Sequence, residues 1–265
     1  MKTKVASILF TGLFAFGTVN AADVERENIA QVALLQSLAQ GYFDGTVTVG
    51  ELRTLGNIGI GTFKGLNGEM ILLDGICYQA LGDGRVVVAA DSEQVPFANA
   101  TFFDNDISVK ITEKLDKAAL EKQLTQIVQE NGSNSFYMVK LHTTFPYILF
   151  RSEYGSQRPY GTLVEALKGK QTEFTERNIN GTLVGLYCPN YAGGLNSVGW
   201  HFHFISDDRK HGGHILELSV NSGEVQFDKT DKLSIYLHDD KEFQNLNLAK
   251  DMSEDIRHAE QDSQK

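Results

Sequence analysis

The chain has 265 residues, 42% hydrophobic and 22% charged, with 34 acidic against 24 basic side chains and a formal net charge of −10. An acidic chain with no basic cluster offers phosphate no footprint, which excludes a general nucleic-acid binder. Its two cysteines, Cys77 and Cys188, form no CxxC pair, so thiolates do not point to a metal site.

Lys2 and Lys4, the apolar run Val5 to Phe16 and the small-residue pattern Val19-Asn20-Ala21 together predict a secretory signal peptide over residues 1–21. The apolar run is too short to span a bilayer, and no later segment reaches transmembrane length. An exported protein with no membrane partner after cleavage is expected, in a periplasm or outside the cell. In that setting Cys77 and Cys188 fit a bridge or two buried thiols equally well.

Glu27 to Gln40 carries Ile29, Val32, Ala33, Leu35 and Leu38 at helical spacing and stops at Gly41. After a turn at Tyr42 to Gly45 and the segment Val47 to Leu52, Ile58 to Ala80 reads as Gly-rich strands. Asn67-Gly68 and Asp74-Gly75 are hairpin dipeptides within it, so Glu69 is expected to open a strand. No GK[ST] follows these glycines, which excludes a phosphate loop. Strands are predicted at Arg85 to Ala90, Pro96 to Phe103, Ser135 to Thr144 and Tyr147 to Arg151. Between them lies a helix over Thr112 to Glu130, with Leu120, Leu124, Ile127 and Val128 as its stripe and Asn131-Gly132 as its stop. A short helix at Leu163 to Lys168 marks the expected change of domain.

Beyond it, Gln171 to Arg177 and Thr182 to Tyr187 flank a turn at Asn180-Gly181. Strands follow at Glu224 to Phe227 and Leu233 to Leu237, and a polar helical tail runs from Asp251 to Gln261. The expected class is α+β, with mixed or antiparallel sheets in two β-rich sub-domains: 22–165, α+β, then 166–250, β-rich and metal-binding, with the tail at 251–265.

The most informative stretch is Gly199-Trp200-His201-Phe202-His203-Phe204, followed by a reversal and Gly212-Gly213-His214. In a strand His201 and His203 share one face, and Trp200, Phe202 and Phe204 the other. If His203 lies across from His214 in the hairpin, three imidazoles converge with positions left open for water or substrate. Zinc is the expected ion, although imidazole also suits iron, manganese, copper and nickel. Glu69, Arg151, Arg158, Glu217, Asp207 and the tail carboxylates are the candidates for acid, base or anion-holding roles. No GxSxG supports a nucleophilic serine.

Several pieces taken together resemble bacterial α-acetolactate decarboxylase, in family order over nearly the whole chain after the leader. They are Gly41-Tyr42-Phe43-Asp44-Gly45, Gly59-Ile60-Gly61-Thr62-Phe63 with Leu66-Asn67-Gly68-Glu69, Asp74-Gly75 with Tyr78-Gln79, and Val95-Pro96-Phe97-Ala98. Arg151-Ser152 before Pro159-Tyr160 and the histidine hairpin complete the set.

The resemblance implies decarboxylation of 2-acetolactate, a small anionic 2-hydroxy-3-oxo acid, to acetoin and CO2. It implies Zn2+ held at His201, His203 and His214, with Glu69, Thr62 and Arg151 in the active site. It also implies a tail glutamate near the metal, placed at Glu260 with Glu254 as the alternate. The chain departs from the family pattern at Ser152-Glu153-Tyr154-Gly155. Loss of CO2 from a β-keto acid leaves an enediolate that a Lewis acid stabilises, and a carboxylic acid then protonates it at carbon. The sequence leaves a homodimer open.

Two other functions compete. A cupin-type enzyme also uses an HxH strand, but it wants a glutamate soon after, where only Asp207 stands, and a distant PxGxxxH that is missing. In a secreted, non-catalytic metal- or sugar-binding protein the hairpin would be structural. Acetoin release that a chelator abolishes separates the decarboxylase from both.

Overall fold

The computed structural model describes residues 25–261, so the leader expected at 1–21 and the last four residues of the tail lie outside the described residues. The chain opens with β1 (Asn28–Val32), α1 (Leu35–Ala39), β2 (Val47–Thr48) and α2 (Val49–Leu52). Next come β3 (Ile58–Thr62), β4 (Glu69–Leu73), β5 (Ile76–Ala80), β6 (Val86–Val88), β7 (Gln94–Val95) and β8 (Phe97–Thr101). The middle holds β9 (Ile107–Ile111), β10 (Leu115–Asp116), α3 (Lys117–Asn131), β11 (Phe136–Phe145), β12 (Tyr147–Glu153) and α4 (Leu163–Leu167). The last part is β13 (Gln171–Glu176), β14 (Ile179–Cys188), β15 (Gly199–Ser206), β16 (Gly212–Val220), β17 (Gly223–Thr230), β18 (Lys232–Tyr236), α5 (Lys241–Gln244) and α6 (Ser253–Gln261).

Two large sheets carry the fold. A seven-stranded sheet runs β18-β1-β8-β3-β4-β5-β6, and a nine-stranded one runs β13-β12-β16-β15-β14-β11-β17-β9 with β10 added on β16. All pairings are antiparallel except β1 with β18. Ile60, Ile71 and Tyr78 of the first sheet pack with Met138, Val184, Leu186 and Ile205 of the second in one buried cluster between them. The expected class, α+β with mixed and antiparallel sheets and a C-terminal histidine hairpin, is what is observed. No described helix is long and apolar enough to cross a membrane.

Several expectations need correction. The helix expected from Glu27 to Gln40 is strand β1 followed by only the short α1. β1 lies between β8 and β18 with Ile29 to Val32 all buried, so it lacks the alternation that marks a half-exposed strand. The turn expected at Asn180-Gly181 sits at Asn178, where φ is +53°, and Gly181 is inside β14. A Cβ on Gly181 would lie 2.5 Å from the Phe204 ring, so this glycine serves close packing. The helix expected from Thr112 begins at Lys117, because the Asp116 carboxylate accepts the Ala119 N–H at 2.8 Å and caps it.

The sheets do not divide at 165/166. β9, β11 and β12 join the second sheet with the later strands, while β18 returns to the first. The tail is also more than polar: Met252, Ile256 and Ala259 are buried against α1 and α4 in a cluster with Leu38, Leu163 and Leu167. Cys77 and Cys188 are separate buried thiols.

Candidate active site

β15 and β16 form the hairpin in the expected register, with His203 opposite His214. Trp200, Phe202 and Phe204 line the far face, where the Trp200 indole N–H donates to Thr125 Oγ1 of α3 at 3.0 Å. β12 lies on the other side of β16 and brings Arg151 opposite His214. That close approach explains Gly213: its φ is +152°, and a Cβ there would stand 2.2 Å from the Arg151 carbonyl oxygen.

The three imidazoles meet at single nitrogens. His201 Nε2 lies 3.1 Å from His203 Nε2 and 2.9 Å from His214 Nδ1. Their other nitrogens have fixed tasks. His203 Nδ1 donates to the Met70 carbonyl at 2.8 Å, and His214 Nε2 donates to the Glu260 carbonyl at 2.8 Å. A carbonyl accepts only, so these contacts place the lone pairs of His203 Nε2 and His214 Nδ1 on the shared space.

Burial, then the positive charge of Arg151, pushes His201 down to about 3, and burial holds His203 and His214 well below the usual imidazole value. All three are therefore neutral ligands at pH 7. Lone pairs crowded this closely repel one another unless a cation lies between them. Nitrogens around a tetrahedral zinc stand roughly 3.3 Å apart, close to the spacing here. The residues fit a metal ion.

Carboxyl groups and one guanidinium surround this center. β4 crosses β15 and β16, and Glu69 at its start puts Oε2 3.3 Å from His203 Nε2. The Ser152 hydroxyl joins β4 to β12, accepting the Glu69 N–H at 3.3 Å and donating to the Ala80 carbonyl at 2.5 Å. Burial, and after it the charge of Glu153 and a hydrogen bond to it, raises Glu69 well above the usual carboxyl range, which favours its protonated form.

From α6, Glu260 Oε2 lies 3.3 Å from His201 Nε2, and burial lifts this carboxyl to about 7. Arg151 is buried and donates to the Ala259 carbonyl. Thr62 donates its hydroxyl to the Gly68 carbonyl at 2.9 Å, bracing the turn that presents Glu69. Thr62, Glu69, Arg151, His201 and Glu260 line one cavity, which brings these five candidates together.

The remaining candidates lie elsewhere. Arg158 is held in an exposed ion cluster by Asp44 and Glu242, Glu217 is exposed beside Tyr147, and Asp207 pairs with the exposed His142. Glu254 is exposed on α6, so Glu260 is the tail glutamate at the site.

The family model for alpha-acetolactate decarboxylase matches residues 29–250. The chain belongs to that family. This acetolactate decarboxylase, a carboxy-lyase, is 37% identical over 243 residues to the alpha-acetolactate decarboxylase of Methanosarcina mazei, covering 91% of this chain and 81% of that one. It is 33% identical to the Brevibacillus brevis enzyme, covering 91% and 84%. The crystal structure of alpha-acetolactate decarboxylase from Bacillus subtilis strain 168 superposes with a TM-score of 0.85 at 32% identity, over 89% of this chain and all of that one.

Sequence reasoning passed over one buried carboxyl of this cavity, Glu153. It was visible only as a departure after the arginine. Two positions beyond Arg151 on β12, it shares that residue's face, is buried, and lines the same cavity. The alternation along β12 was a signal for it, but its partner Glu69 comes from the other sheet.

Proposed function

We propose that this acetolactate decarboxylase works with a zinc ion held by His201, His203 and His214. The observation that carries the proposal is the convergence of three neutral imidazole nitrogens, two of them oriented by the Met70 and Glu260 carbonyls. When bound, the ion supplies a Lewis acid for the electron pair left as the carbon–carboxylate bond of 2-acetolactate breaks and CO2 departs. Arg151, a buried planar cation, grips the substrate carboxylate and orients it for loss.

Glu69, whose protonated form is favoured by burial and by the charge of Glu153, delivers its proton to carbon on one face, which yields one enantiomer of acetoin. Glu153 holds that proton in place through its charge and its hydrogen bond. Thr62 steadies the turn before Glu69, and Glu260 closes the cavity beside His201. The basic, apolar and small-residue pattern of residues 1–21 supports export, so mass spectrometry of protein recovered outside the cytoplasm should find it starting near Ala22.

The test is acetoin formation from racemic acetolactate beside elemental analysis of the same sample. About one zinc per chain and turnover abolished by a chelator are expected. Full turnover by metal-free protein would overturn the zinc assignment.

A further inference from the structure

Buried side-chain oxygens without a hydrogen-bond partner occur at two places among the described residues. One is the active site, at Glu153 Oε2. At the other, the segment after β8 meets β17, and Asp104 Oδ1, Asp228 Oδ1 and Thr230 Oγ1 all lack a partner. Asp104, Asp106 and Asp228 each offer an oxygen within 4.8 Å of the others. Asp228 is fully buried, Asp104 half-buried and Asp106 exposed, so the cluster runs from the interior to solvent.

Acidic clusters are ordinary on an acidic protein. This one differs because its innermost member is out of solvent and has one oxygen, Oδ1, without a hydrogen-bond partner. Asp228 Oδ2 accepts a long bond from Thr101 Oγ1, at 3.4 Å, and the backbone N–H of Asp104 also faces this carboxyl. Asp106 Oδ2 accepts the Lys229 N–H at 2.8 Å, which holds the exposed member in place. Burial, then the charges of Asp104, Asp106 and Glu27, pushes Asp228 up to about 8, opposed by the backbone N–H of Asp104. A buried acceptor without a donor is costly, and a cation is the partner that an all-oxygen cluster lacks.

We propose that Asp104, Asp106 and Asp228 bind a calcium ion, at a structural site separate from the histidine center. Oxygens this close can share one ion at calcium's bond length of about 2.4 Å, with water and backbone carbonyls completing its flexible shell. Zinc prefers nitrogen and sulfur, and magnesium keeps most of its own water. The position gives the ion a task. Residues 102–106 carry the chain from β8 in one sheet to β9 in the other, so calcium ties that crossing to β17.

Calcium chloride alone, added to the full enzyme at pH 7.5, tests the proposal by calorimetric titration and thermal unfolding. The wild type should bind one calcium per chain. Its unfolding midpoint should rise by about 5–10 °C when calcium exceeds the dissociation constant a hundredfold. Asp228→Asn and the exposed Asp106→Asn should lose both responses and keep wild-type acetoin formation. No binding and no shift in the wild type up to about 10 mM calcium would overturn the site, since weak structural sites saturate near that level. An equal response in both variants would overturn the ligand assignment, and an equal response to magnesium would overturn the choice of calcium.

Discussion

Without calcium, Asp228 sets a measurable pH dependence of stability. Its carboxyl titrates near 8 in the folded protein, against an ordinary value of 3.8. Between those values the folded chain holds a proton that the unfolded chain has released, so stability falls as pH rises and levels off above about 8. At about 1.4 kcal/mol per pH unit, the four-unit gap bounds the loss at about 6 kcal/mol. Structural relaxation and water entry make about 3 kcal/mol the reasonable expectation.

Asp228→Asn has nearly the same shape as the protonated acid and does not titrate. In calcium-free buffer it should match the wild type near pH 4 and exceed it by about 3 kcal/mol at pH 8.5. For a chain of this size that difference is a gain of about 6–12 °C in unfolding midpoint. Urea unfolding of both proteins at several pH values, with chelator present throughout, measures it. Parallel stability curves from pH 5 to 8.5 would refute the reasoning, because they would mean that Asp228 is charged and solvated in the folded state.

The histidine hairpin was legible because its signals were local. Alternation put His201 and His203 on one face, and the Asp-Lys-Gly-rich reversal fixed which residue meets His214. Glu69 was legible through Asn67-Gly68, where Gly68 adopts a φ of +88° that suits few other residues. Features decided by packing were not. β1 is buried on both faces, so Ile29, Val32 and Ala33 matched a helical spacing as well as a strand. Asn180-Gly181 matched a turn dipeptide although the glycine was needed against Phe204. Glu153 gains its properties from Glu69 of the opposite sheet and Asp228 from Asp104 and Asp106 of the crossing segment, and no short window contains both halves of either cluster. The apolar spacing of Met252, Ile256 and Ala259 was visible, but the charged residues between them masked it.

His203→Ala should lose the metal and all turnover, and elemental analysis of the purified variant checks it. Glu69→Gln should keep the metal and fold while losing about a hundredfold or more in kcat, the usual scale for an acid group. Glu153→Gln should move the alkaline limb of the pH–rate profile to lower pH, because it removes the charge that helps keep Glu69 protonated. Arg151→Lys should cost turnover through loss of the planar fork, whereas Arg158→Lys, in an exposed ion cluster, should change it little. The tail offers the sharpest separation of roles. If α6 only covered the cavity, shaving its buried face would leave the metal ligands undisturbed. Yet the carbonyls of Ala259 and Glu260 hold Arg151 and His214, so the packing of Ile256 against α1 and α4 sets the position of both. Ile256→Ala should therefore cost about 2–4 kcal/mol of stability. It should also weaken zinc binding, by roughly the 10- to 100-fold seen when a partner orienting a ligand is lost. A variant that lost only the stability, and bound zinc as tightly as the wild type, would show that the hairpin orients His214 without the tail.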